Sequence, residues 1–175
     1  MEDTKVKELI KHGVLHDRYT SITRFSVLFD TTDSQCFLYA KNRLPKFLAG
    51  NPTYSVSFFI DDVVPGFWPK TSLRPFSEFY REKNTGVATS LKSLSQMAAN
   101  PLVKDRVYYA YDLAELKMLQ NNPLAKPLFN GVRIITRNAA YAKKIYEDYG
   151  LICSESHFMM EFDFNKIKDI KDIYG

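Results

Sequence analysis

Apolar positions along this chain fall in two alternating rhythms. Unbroken runs of bulky and β-branched residues occupy 24–30 (Phe25, Val27, Leu28, Phe29), 54–60 and 107–111, with shorter ones at 86–89 and 132–135. Each reads as a strand covered on both faces, since a half-exposed strand would alternate apolar with polar residues. Between these runs the apolar positions recur at helical spacing. Asp33 or Ser34 caps a helix through Phe37, Leu38 and Leu44 to Leu48, which Gly50 and Pro52 stop and Pro45 is placed to kink. Further helices are predicted over 76–83, 91–99 (opened by Ser90), 113–119 and 139–149 (stopped by Gly150).

The stretch 63–74, with Pro65, Gly66 and Pro69, reads as irregular. The ends are simpler. An amphipathic helix over 4–11, with Val6, Leu9 and Ile10 on one side, stops at Gly13; an extended segment over 157–162 precedes a basic helix over 165–173. Strand and helix alternate five times. The expectation is therefore an α/β chain: a single Rossmann-like domain over 1–175, with a mostly parallel sheet and helices on both faces. Residues 1–22 form an N-terminal helical extension, and 158–175 a linker strand and C-terminal helix.

Composition narrows this picture. Hydrophobic residues make up 45% of the 175 and aromatics 14%, enough for a packed core and against disorder. The net charge of +4 permits an anionic partner without requiring one. Cys36 and Cys153 sit among apolar residues without Cys-x-x-Cys spacing, as expected of free thiols in a reducing compartment. The first residues are charged, and no apolar run approaches the roughly 20 residues that span a bilayer. The expected location is cytoplasmic, with no membrane partner.

In an open parallel sheet, ligands gather at the carboxyl ends of the strands. Those ends are polar here: Asp30-Thr31-Thr32-Asp33, Asp61-Asp62, Thr89-Ser90, Asp112, and Thr136-Arg137-Asn138. The same residue types also cap helices, and a parallel sheet needs a cap at each strand-to-helix turn. Asp61-Asp62 stands apart, because no helix starts there and adjacent carboxylates repel unless a cation is near. Trp68 and Phe67 beside Lys70 and Arg74 suit stacking on a base or sugar, and suit still better the packing of a long loop onto its own domain. Dinucleotide, P-loop and nucleophile-elbow motifs are all missing. His12, His16 and His157 have no metal-ligand spacing, so no metal is expected.

Residues 104–113, an aromatic strand ending in Asp112-Leu113, resemble a strand of glycosyltransferases from large tailed phages, although Ala114-Glu115 depart from the family's Asp-Leu-Glu pattern. Residues 134–142 resemble the strand and helix that close the acceptor-side, Rossmann-like domain of the GT-B fold. Arg137 and Ala142 match, and Tyr141 stands where His is frequent. Gly86 to Ser90 fit the family's central strand and residues 158–163 its linker strand, so the likeness covers 86–163.

The resemblance implies transfer of a sugar from a nucleotide-sugar donor to a hydroxyl acceptor, such as modified phage DNA, with no cofactor. A second domain or partner chain would bind most of the donor, since the sequence stops soon after that domain would begin. On this reading Asp112 is the general base and Asp62 its reserve. Arg137 contacts phosphate, and Asp61, Ser90, Asn138 and Trp68 line the substrate site. Two other readings stand beside it: a non-catalytic adaptor or inhibitor that binds nucleotide, nucleic acid or a host protein, and a small α/β enzyme of another class.

Overall fold

The computed structural model describes residues 22–61 and 72–174. The predicted helix over 4–11, and Asp62 and Trp68 among the candidate site residues, lie outside them. Among the described residues six strands are present: β1 (Thr23–Phe29), β2 (Tyr54–Ile60), β3 (Ser72–Pro75), β4 (Asn84–Ala88), β5 (Val103–Ala110) and β6 (Val132–Thr136). The helices are α1 (Gln35–Gly50), α2 (Leu91–Ala98), the single turn α3 (Met118–Asn121), α4 (Ala139–Tyr149) and α5 (Phe164–Tyr174). Every strand pair is parallel, in the order β3-β2-β1-β4-β5-β6. This is a doubly wound, Rossmann-like sheet whose strand order reverses between β1 and β4.

Alternate residues of a strand face opposite ways, so a sheet covered on both sides builds two cores. Phe25, Val27, Phe29, Val56, Phe58, Val87, Val107 and Tyr109 pack with Phe37, Leu44 and Phe47 of α1 and with Phe164, Ile167 and Ile170 of α5. Leu28, Phe59, Ala88, Tyr108 and Ile134 pack on the other face with Leu94 and Met97 of α2, Phe79, Phe129 and Ile145 of α4. The first core is a lattice of rings: Phe29 meets Phe37 and Phe58 edge-on at 5.2 and 5.3 Å, and Phe162 meets Phe164 at 4.9 Å. Edge-to-face pairs add about 0.5–1.5 kcal/mol each beyond their burial. Gly86 lets α2 lie close to β4, because a Cβ there would stand 2.8 Å from the Met97 sulfur.

Four expectations change. The sheet has six strands, not five: β3 forms at the edge within a stretch read as irregular, and its Pro75 is tolerated at the strand's end. The helix predicted over 113–119 is a 3₁₀ turn, Glu115–Lys117, running into α3, and Pro123 and Pro127 then impose a second 3₁₀ stretch, Pro123–Phe129. The linker strand predicted from 158 is irregular. Its side of β6 is met by one bridge, Ile134 with Cys153, and by hydrogen bonds from Ser154 N to the Ile134 carbonyl and from Met159 N to the Thr136 carbonyl. The reason lies in the side chains: Met159 and Phe162 are both drawn into the first core, which a regular extended run cannot do with residues three apart. The region over 76–83 is likewise a 3₁₀ helix, Phe76–Arg81. Among the described residues no helix is long and apolar enough to cross a membrane.

Candidate functional site

The turns leaving β1, β4, β5 and β6 converge at the reversal of strand order. They enclose a cleft of about 580 Å³. Asp30, Asp112 and Glu115 form its acidic side, Tyr111, Arg137 and Tyr141 its aromatic and cationic side, and Ser90 and Cys36 also line it. Three of the sequence-predicted site residues, Ser90, Asp112 and Arg137, thus meet in one place, although 47 positions separate the first from the last.

Local structure fixes each of them. Ser90 is the N-cap of α2: its Oγ accepts the Ser93 N–H at 2.9 Å, and the Ser93 hydroxyl accepts the Ser90 N–H in return. The Ser90 hydroxyl itself donates to Asp30 Oδ1 at 2.5 Å, tying the end of β1 to the start of α2 across the switch point. Asp112 Oδ1 accepts the Ala114 N–H at 2.9 Å, which turns the chain after β5 and leaves an exposed carboxylate on the cleft. Arg137 is held three ways. Its Nε donates to the Met160 carbonyl at 2.7 Å, its Nη2 to Glu161 Oε1 at 3.1 Å, and its guanidinium lies 4.5 Å from the centre of the Tyr111 ring.

The other candidates sit elsewhere on the rim. Asn138 caps α4, its Oδ1 accepting the Tyr141 N–H at 2.9 Å, and is not part of the cleft lining. Asp61 forms an ion pair with Lys92 of α2, which supplies the cation that adjacent carboxylates were expected to need. That pair spans the rim over β1 and likewise lies off the cleft.

Two acidic residues that sequence reasoning passed over belong to the site. Asp30 appeared as one member of a polar strand end; Glu115 appeared only as a departure from a family pattern. Glu115 accepts the Leu91 N–H at 2.6 Å through one oxygen and the Tyr108 hydroxyl at 3.1 Å through the other. Burial raises its carboxyl above the ordinary value of 4.5, with the charges of Asp30 and Asp112 adding, while the two hydrogen bonds oppose the rise. The available signal was position: Glu115 lies five residues past the end of β5, where an acid can reach a neighbouring helix N-terminus.

Among the described residues no group of three or more His, Cys, Asp or Glu side chains is arranged to hold a metal ion. Both cysteines are buried and unpaired. Burial pushes the Cys153 thiol up to about 11 and the Cys36 thiol further. Neither is primed as a nucleophile. No protein-family model, curated protein or solved structure matches this chain.

Proposed function

We propose that this chain is the acceptor-side domain of a glycosyltransferase, holding a hydroxyl-bearing acceptor in the switch-point cleft. The observation behind this reading is the cleft's chemistry: three carboxylates and the Ser90 hydroxyl face one arginine in a space of about 580 Å³. Carboxylates and hydroxyls bind sugar or ribose hydroxyls well, and an exposed carboxylate at the mouth suits proton abstraction from one of them. Asp112 fills that role. Its Oδ1 is engaged by the backbone, which orients Oδ2 without neutralising it.

The same lining argues that the donor's diphosphate is held mainly by other groups. Among the described residues lining the cleft, Arg137 alone is cationic, and it already faces Glu161. A diphosphate placed among three carboxylates would bind only weakly through Arg137, and a tight hold would need further cations, from a second domain or a partner chain. Modified DNA remains the acceptor to try first, with the mild positive charge of the whole chain in its favour.

The test is calorimetric titration with uridine, UDP-glucose and a hydroxymethylated DNA duplex, beside transfer assays. Binding of a hydroxyl ligand that Asp112→Asn weakens is expected. Where transfer is reconstituted with a donor-binding partner, the same substitution should lower it by about 10²–10⁴-fold. Robust transfer by the isolated chain, or transfer unaffected by Asp112→Asn, would reject the reading.

A second reading, a non-catalytic binding module, is favoured by one fact. Ser90, Asn138, Asp112 and Arg137 all have structural partners, so each has a reason to be present without catalysis. Ligand binding insensitive to Asp112→Asn, with no transfer under any pairing, would select it.

A further inference from the structure

The segment 159–162 crosses from the end of β6 to the start of α5. With α1, its residues Met159, Met160 and Glu161 line a groove of about 810 Å³, and Arg137 ties it to the switch-point cleft. The segment's two ends are fixed. Met159 is 1% exposed, and its carbonyl accepts the Tyr109 hydroxyl at 2.5 Å; Phe162 is fully buried, and its carbonyl accepts Arg43 Nη1 at 2.8 Å. The middle is not buried. Met160 is 53% exposed; Arg137 takes its carbonyl and one carboxylate oxygen of Glu161, and the Tyr111 hydroxyl donates to the other at 3.4 Å. A single cleft-lining cation therefore latches the middle of a strap whose ends are anchored in the core.

We propose that Glu161 is an internal anion that occupies Arg137 in the ligand-free chain, and that an anionic group entering the cleft takes Arg137 by displacing Glu161 and releasing residues 160–161. This rests on Arg137 being one phosphate contact of the proposed sugar-transfer site. A carboxylate and a phosphate oxygen offer a guanidinium the same kind of acceptor, so they compete for the same N–H groups. Both partners are about a quarter exposed or less, so the ion pair is neither free to dissolve nor locked in the core. The strap has room to move because Met160 is exposed and the groove opens beside it. Cys36 lines the cleft at the start of α1, close enough to feel the charges of both Glu161 and Arg137, and it is buried while the latch is closed. Its thiol is a built-in reporter of opening.

Titration with inorganic pyrophosphate tests the latch on four proteins: wild type, Glu161→Gln, Arg137→Gln and the double variant, with thermal melts confirming that each folds. Glu161→Gln should bind pyrophosphate about two- to fivefold more tightly, the range an incompletely buried ion pair allows. Arg137→Gln should lose most of the binding, and Glu161→Gln should change nothing further in that background. Alkylation of Cys36, separated from Cys153 by peptide mass, should be faster in Glu161→Gln and faster in wild type when pyrophosphate is present. Unchanged or weaker binding by Glu161→Gln overturns the latch. So does equal tightening in the Arg137→Gln background, which would mean long-range charge rather than competition. Uridine carries no phosphate to compete with Glu161, so its binding and its sensitivity to Asp112→Asn test the cleft as an acceptor site separately from the latch.

Discussion

Glu115 joins three elements through one carboxyl group, and its chemistry makes the fold sensitive to pH in an unusual direction. Its acidity in the folded chain is weakened, chiefly by burial, so the folded state holds the proton more tightly than the unfolded state does. The contribution of this group is therefore greatest below its ordinary value of 4.5 and declines as pH rises through the raised folded value. Gln at this position mimics the protonated form and keeps an acceptor for the Leu91 N–H. Thermal melts of Glu115→Gln and wild type should coincide near pH 4.5, and the variant should melt higher at pH 7. A wild type that is the more stable at pH 7 would show that the hydrogen bonds to the ionised carboxylate outweigh its burial. Ser90 gives a contrasting case at the same scale. Ser90→Ala removes both a helix cap and the partner of Asp30, so a loss of about 1–2 kcal/mol is expected in denaturant unfolding.

Helix α4 shows how unevenly the elements are held. Over its 11 residues only Ile145 is buried, and its Lys143–Glu147 and Lys144–Asp148 pairs are exposed. Such pairs contribute about 0.3–0.5 kcal/mol each, whereas truncating a buried Ile costs about 2–5 kcal/mol. Ile145→Ala should therefore destabilise α4 several times more than Lys144→Ala, and α4 amides should exchange with solvent sooner than those of β5, whose last four residues are all buried. The sequence announced α4 clearly, because Asn138 opens it and Gly150, at φ 68°, closes it. The strands β1, β2 and β5 were equally legible from their apolar runs. Edge strand β3 was not, since Leu73 is its one large apolar residue and Arg74 and Pro75 argue against a strand by composition. Nor was the irregular strap at 159–162, whose path is set by where Met159 and Phe162 find space in the core. The site was half legible for a related reason: strand ends can be read from sequence, but which side chains turn toward one cleft depends on strand order. Asp30 and Ser90 touch only because β1 and β4 are neighbours.

At the scale of the whole molecule, both thiols are enclosed by the two cores that flank the sheet. Native protein prepared without reductant should react slowly with a thiol reagent and should yield two free groups on unfolding. Two fast groups in the native state would show the cores to be open. The strand order also has a consequence for how the chain comes into being. Thr85 to Ala88 of β4 align with Phe25 to Leu28 of β1, so the central pairing joins residues 60 positions apart, while β1 and β2 meet after about half that distance. A ribosome releases β1, α1 and β2 well before β4 exists. During that interval one edge of β1, with Phe25, Val27, Leu28 and Phe29 along it, has no neighbour, and such an edge invites pairing with another nascent chain. Slow synthesis between residues 61 and 88 should therefore lengthen the most aggregation-prone stage in the life of this protein, and a chaperone that binds short apolar strands would act there before any ligand reaches the cleft.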